Sequence, residues 1–419
     1  MSKKIDPRIP ATVGEGALPA HPSLQTPWGK LIGTQETLHY AARLQAVYGS
    51  LFFEAMRILV PDYEKRCQIL CDAAYEAGKE PFCAPGAEQS MPFYNIPPFL
   101  KGCMLCGVTG DYGDEVLMMD GRVNDVGSYR VEKEIDHCPW DIMGSELGRC
   151  TTSKLQGIGD GMNTIQRGPS LDLNMVEAKC CGDLHCRIVA ENREKYPLPE
   201  HEGHAHADCY GPVVTGEQIR FTLEENLVSD AQYFREDCNY KYTSALVMQV
   251  DATTAHNGPG CMITYGMGID YGQGFFDACM KQNLLKREEI ENCLRWVFEA
   301  AGKAMFCDTF AIRGLRDWLG VPDDIHDGRM LGGYIEIILQ TLKISYEIEA
   351  FNKDEVVYLI DRKELAGGYD LFSDALVSMW YGMAKTLVSA MYAAWEEKKD
   401  APDNVLRLKI ARKVDKYCS

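Results

Sequence analysis

Glu177, Cys180, Cys181 and Cys186 fall within ten positions, in the run Glu177-Ala178-Lys179-Cys180-Cys181-Gly182-Asp183-Leu184-His185-Cys186-Arg187. A carboxylate and three thiols at this spacing suit either a metal knot, with zinc as the ion such donors hold, or a cysteine-centred active site. Cys150, upstream, could supply one further ligand. The blander reading is that two of the thiols pack inward as small hydrophobes.

Cys138 is the second candidate. It follows a predicted strand, precedes Pro139 and stands close to the start of a predicted helix over 140–165. A thiol near a helix N-terminus meets the positive end of the helix dipole and free backbone N–H groups. Both lower its pKa and raise its nucleophilicity. His137 adjoins it, but neighbours on a strand point to opposite faces, so His137 need not be its partner base. Asp141 and Glu146 sit on the predicted helix, where a carboxylate could serve in acid–base steps. A buried structural cysteine is the alternative.

Three other clusters are weaker. His201, His204, His206, Asp208 and Cys209 have a spacing open to zinc or nickel, and equally the composition of an exposed linker. Cys103-Met104-Leu105-Cys106 is a CxxC without a second pair, which reads as free thiols more readily than as a redox motif. Gly157-Ile158-Gly159-Asp160-Gly161 lacks the preceding strand of a dinucleotide fingerprint and reads as a packing surface or helix break. No nucleotide cofactor is expected.

The elements that must position these residues show in the apolar periodicity. Helical spacing runs from about Glu36 to Ile58, is interrupted at Pro61, and resumes from about Tyr63 to Gly78, where glycine suggests a C-cap. Asp120-Gly121 between alternating segments predicts a hairpin turn, and 128–135 alternates as a further strand. Alternation on either side of the cysteine run predicts a β-hairpin whose turn carries the thiols. Part of this order recurs. Ala77-Gly78-Lys79 is echoed by Ala301-Gly302-Lys303, Gly157 by Gly382, and Glu134-Ile135-Asp136-His137 by Leu359-Ile360-Asp361-Arg362. The expected fold is therefore α+β, with two diverged copies of a module made of a helix pair and an antiparallel sheet. The expected division is an arm over 1–34, a first module over 35–195, a linker over 196–240 and a second module over 241–419. Lys363 stands where the second copy would need Cys138, so the chemistry is expected in the first copy.

The chain has 419 residues, 46% hydrophobic and 25% charged, with a net charge of −18. No apolar run approaches the roughly 18 residues that span a bilayer. The opening residues, Met1 to Pro7, lack the apolar core of a signal peptide, which predicts a cytoplasmic protein. Strong negative charge without Lys/Arg clusters argues against nucleic acids and anionic membranes as partners. Seventeen cysteines in such a chain point to free thiols, metal ligands or a nucleophile rather than a disulfide framework. Met379, Trp380, Tyr381, Met383, Met391 and Tyr392 suit either a homo-oligomer interface or core packing.

Val176-Glu177-Ala178-Lys179-Cys180, followed by Gly182-Asp183-Leu184-His185-Cys186-Arg187, resembles the zinc-bearing hairpin of 4-vinyl-reductase-type small-molecule-binding domains. The order of elements over 36–191 resembles the L-2-amino-thiazoline-4-carboxylic acid hydrolase family. The features that carry it are the paired helices ending in Ala-Gly-Lys, Cys138-Pro139 after a strand, a helix with Glu146, and the Gly-Asp-x-x-Cys hairpin. This resemblance implies a cysteine-dependent hydrolase that opens a C–N bond in a small cyclic amidine or amide. Cys138 would be the nucleophile, Glu146 or Asp141 would shuttle the proton, and the hairpin residues would shape the pocket or hold a metal. The vinyl-reductase likeness implies the alternative, a sensor or carrier with a structural zinc hairpin.

Overall fold

Leu44, Val47, Tyr48, Leu51, Phe52, Ala55 and Met56 recur at helical spacing, and all are buried on the first long helix, α1 (Thr34–Leu59). The computed structural model describes residues 24–32, 34–83, 85, 120–127, 130–137, 143–164, 171–192, 267–306, 316–341, 344–366, 369–387, 392–398, 402 and 404–413. Before α1, a two-strand ribbon, β1 (Leu24–Gln25) and β2 (Leu31–Ile32), sets Trp28 against Gly333 and Phe351. Helix α2 (Tyr63–Cys83) begins after Pro61, where the Asp62 carboxylate accepts the Lys65 N–H at 2.8 Å as an N-cap.

The first half continues through β3 (Asp120–Gly127), β4 (Arg130–His137), α3 (Ser145–Thr164), β5 (Leu171–Glu177) and β6 (Cys186–Asn192). Its antiparallel sheet has the order β3-β4-β6-β5. The second half holds α4 (Met267–Lys281), α5 (Arg287–Met305), α6 (Arg316–Leu319) and α7 (Gly328–Thr341). It closes with β7 (Tyr346–Phe351), β8 (Glu355–Asp361), α8 (Arg362–Ala366), α9 (Asp370–Ala384), β9 (Tyr392–Glu396) and β10 (Val405–Arg412). The order of its sheet is β7-β8-β10-β9, again antiparallel. The class is α+β.

Two details differ from expectation. Asp120-Gly121 is not a hairpin turn. It lies at the start of β3, at a register shift between Asp120 opposite His137 and Gly121 opposite Ile135, so the flexible glycine serves a bulge. Gly78 is not a helix stop either. Helix α2 runs five residues beyond it, because Gly78 is where α2 crosses α3.

That crossing is unusually close. A Cβ on Gly78 would stand 2.3 Å from the Lys154 carbonyl oxygen, and one on Gly157 would stand 2.1 Å from the Tyr75 carbonyl oxygen. Each glycine thus seats the other helix's backbone. Helices α5 and α9 cross in the same way, with Gly302 against the Met379 carbonyl (2.0 Å) and Gly382 against the Glu299 carbonyl (2.2 Å). Helix α1 lies on α4 and α5, and α4 lies on α1 and α2, so the first helix of each half packs on the second helix of the other. Gly272 of α4 sits on the Phe52 ring, and Tyr48, Phe52, Phe298 and Phe372 form an aromatic cluster with centroids 5.4–6.4 Å apart. Met379, Trp380, Met383 and Tyr392 are fully buried in this core, so packing within the chain accounts for them.

Alanine normally stabilises a helix relative to glycine by about 1 kcal/mol. At these crossings the sign should reverse. Gly157→Ala and Gly382→Ala should each lower stability by about 2 kcal/mol, read as a lower urea midpoint at unchanged slope. A raised midpoint in either variant would refute the close crossing.

Candidate functional site

Glu146 lies in the first turn of α3 with its side chain 2% exposed. A carboxylate removed from water needs compensating charge and hydrogen bonds. Two guanidiniums supply them. Arg57, from the last turn of α1, donates through Nε and Nη2 at 3.1 Å each. Arg66, from α2, donates to Oε1 through Nη2 at 2.9 Å and Nε at 3.2 Å. Arg66 is fixed in turn by the carbonyls of Val60 (2.7 Å) and Pro61 (3.1 Å), and Arg57 by that of Met143. Gly144 is required here. Its φ of +91° suits glycine, and a Cβ would stand 2.7 Å from Arg57 Nη2. Burial opposes the charge on Glu146, but the Arg57 and Arg66 guanidiniums outweigh it and hold the carboxyl below its ordinary range. Around this clasp Tyr63 Oη meets Ser145 Oγ at 2.8 Å, and the Tyr63 ring lies 5.5 Å from both the Arg66 and the Arg149 guanidinium carbons.

The cysteine turn is built by Gly182 and Asp183. Residues 179–181 form one 3₁₀ turn that Gly182 ends at φ +101°, and the Asp183 carboxylate accepts the Ala178 N–H at 2.7 Å. Cys186 Sγ accepts the Lys179 N–H at 3.4 Å. Cys180 and Cys186 are buried, and Cys181 is partly so. The turn rests on α3 at Gly148. A Cβ there would stand 2.6 Å from Cys181 Sγ and 3.2 Å from Cys180 Sγ. Cys181 Sγ donates to the Ser145 carbonyl at 3.7 Å.

Glu177 is engaged elsewhere. Its carboxylate binds Arg187 Nη2 at 2.8 Å and Nε at 3.1 Å, and His185 Nε2 at 2.8 Å. Glu177 and Arg187 are register partners, so they share the sheet face opposite to that of Cys186, the residue before Arg187. Cys150 lies two residues, about 200°, round α3 from Gly148, and interacts electrostatically with Cys71 and Cys67 of α2. Glu177, Cys180, Cys181, Cys186 and Cys150 therefore do not close into one ligand set. Among the described residues no group of three or more His, Cys, Asp or Glu side chains is placed to hold a metal.

His137 is the last residue of β4. Two residues before it, Ile135 pairs with Cys186 across the sheet. The end of β4, the thiol turn and the first turn of α3 thus share one end of the sheet. Cys138 and Asp141 lie outside the described residues, as do Cys103, Cys106 and the run from His201 to Cys209. Of the Gly157–Gly161 run, Gly157 is the residue that seats the α2 backbone.

Sequence reasoning missed Arg57, Arg66 and Gly144. The available signal was Arg57 itself, a cation inside the apolar run Met56-Arg57-Ile58-Leu59, which needs a partner if that helix face is buried. No family model, curated protein or solved structure matches the chain.

Two predictions follow from this geometry. Glu146→Gln removes the anion that two buried guanidiniums share, leaving Arg57 the longer contact to Glu54 at 3.6 Å, and should cost about 3 kcal/mol or more at pH 7. The folded pKa of Glu146 is depressed, so its contribution is full at neutral pH and fades as pH falls through the carboxylate range. Urea unfolding at pH 7 and at pH 4 should show the gap between wild type and variant narrowing on acidification. The second concerns thiol reactivity. Burial pushes Cys67 up to about 11, against the opposing pull of Arg149, and Cys71 up to about 12, and it raises Cys150 well above its ordinary value. In native reduced protein these three should resist iodoacetamide while exposed Cys83 and part-exposed Cys181 are alkylated. Peptide mapping by mass spectrometry decides it, and rapid labelling of Cys71 would contradict the burial.

Proposed function

We propose that the first half is a cysteine-dependent hydrolase that opens a C–N bond in a small cyclic amidine or amide, with Cys138 as nucleophile. The observation that carries this reading is the pairing of Ile135 with Cys186. It brings the backbone leading into Cys138 to the sheet end where the thiol turn and the start of α3 meet. The Cys138 thiolate attacks the amidine or amide carbon, and the C–N bond breaks as a proton is delivered to the leaving nitrogen. Water then adds to the resulting thioimidate or thioester, and cleavage of the C–S bond regenerates the thiol. His137 and Asp141 are the candidate proton carriers. Glu146 is better suited to anchoring α3, because two guanidiniums hold it ionised. Cys181 and the turn around it would shape the pocket wall.

This reading takes a small molecule as partner and a cytoplasmic setting. No described helix is long and apolar enough to cross a membrane. It also takes the two halves as diverged copies of one module, supported by their matching strand orders and paired glycine crossings, with the reaction confined to the first.

The test is a panel of cyclic amidines and amides assayed for ring opening with wild-type protein and Cys138→Ala. Loss of turnover by at least about 10³-fold, with unchanged circular dichroism, and stoichiometric inactivation by alkylation at Cys138 are expected. Full turnover in the variant ends the mechanism. A panel member that is bound but never converted, raising the Tm of both proteins, would favour the sensor or carrier reading instead.

A further inference from the structure

The two sulfurs at the turn converge on one point of α3. The position a Cβ would take on Gly148 lies 2.6 Å from Cys181 Sγ and 3.2 Å from Cys180 Sγ, so the two sulfurs are at most about 5.8 Å apart. They project from adjacent residues of a single 3₁₀ turn, and rotation about their χ1 bonds can bring them onto one small atom. Cys181 is partly exposed while Cys180 is 6% exposed, so one sulfur can meet an incoming reagent and the other can close behind it. The carboxylate that would help complete a tetrahedral zinc site, Glu177, is held by Arg187 and His185.

The geometry points to Cys180 and Cys181 as a two-sulfur chelating site for a soft thiophilic centre, of which trivalent arsenic is the clearest case, rather than for four-coordinate zinc. Soft centres prefer sulfur and are satisfied by two or three thiolates, whereas structural zinc asks for four donors. With an arsenoxide the reaction balances without any oxidant. Two As–S bonds form, the As–O bond breaks, and both thiol protons leave with that oxygen as water, arsenic staying trivalent. Gly148 is part of the site because its missing Cβ leaves the space the sulfurs occupy. The site does not depend on Cys138.

The experiment is titration of the full-length reduced protein with phenylarsine oxide, followed by intact mass and by alkylation mapping of every cysteine. One equivalent should bind first and protect Cys180 and Cys181 together. A chelate gains on the order of 10²-fold over a single bond through effective concentration. Cys181→Ser should therefore weaken binding by about that factor, and Gly148→Ala should weaken it in the same direction. Cys67→Ser with Cys71→Ser should leave it unchanged. Mapping is done on wild-type protein, so the result stands even if a variant folds poorly. First protection of Cys103 and Cys106, wild-type affinity in Cys181→Ser, or one equivalent of co-purified zinc that blocks the arsenical until chelated away would each overturn the inference.

Discussion

The Arg57–Glu146–Arg66 clasp is the constraint on which the first half depends. It joins the end of α1, the start of α2 and the first turn of α3 through one carboxylate. Hydrophobic packing is tolerant of small shifts, but a buried ion pair is not, because a misplaced partner leaves charge without solvation. The clasp therefore fixes where α3 begins. Gly148 sits half a turn further along, so the clasp also fixes where the thiol turn can rest. Substituting a base for Glu146 would be a poor use of the residue. Its proton affinity is lowered by the same guanidiniums that hold it in place.

The two halves have the same strand order and the same kind of glycine-seated helix crossing. In both, a β-hairpin leads to a helix and then to a second strand pair, and in both the long helices meet at reciprocal glycines. Glu177 ends β5 and Glu396 ends β9. In the second half that carboxylate pairs with Arg362, which also reaches Ser373 and Asp374 of α9. An ion-pair network thus ties the end of β9 to α9. The α1–α5 and α4–α2 contacts bind the halves into one core, so each half supports the helices of the other.

Much of this was legible in the sequence. Helices α1, α2 and α3, the cysteine hairpin and the echoed glycines follow from periodicity and turn chemistry, which are local. What escaped was what depends on distance. Arg57 and Glu146 are 89 residues apart, and nothing near either names the other. Gly78 looked like a C-cap because a glycine near a helix end usually is one, and only the carbonyl of Lys154 shows otherwise. Asp120-Gly121 carried a turn signal that the β3–β4 register converted into a bulge. The three hairpin thiols were grouped with Glu177 because they are close along the chain. Strand alternation puts that carboxylate on the other face of the sheet.

Of the seventeen cysteines, nine lie among the described residues, and most of those nine are kept quiet by burial. None of the described cysteines is joined in a disulfide. Cys67, Cys71 and Cys150 line the α2–α3 seam, where removal from water disfavours the thiolate strongly enough to outweigh Arg149 nearby. Cys279 and Cys293 are raised for the same reason, each to about 11. Among the described thiols, reactivity is thereby left to those that reach solvent. Cys181, part-exposed at the sheet end where β4 ends, is one of them.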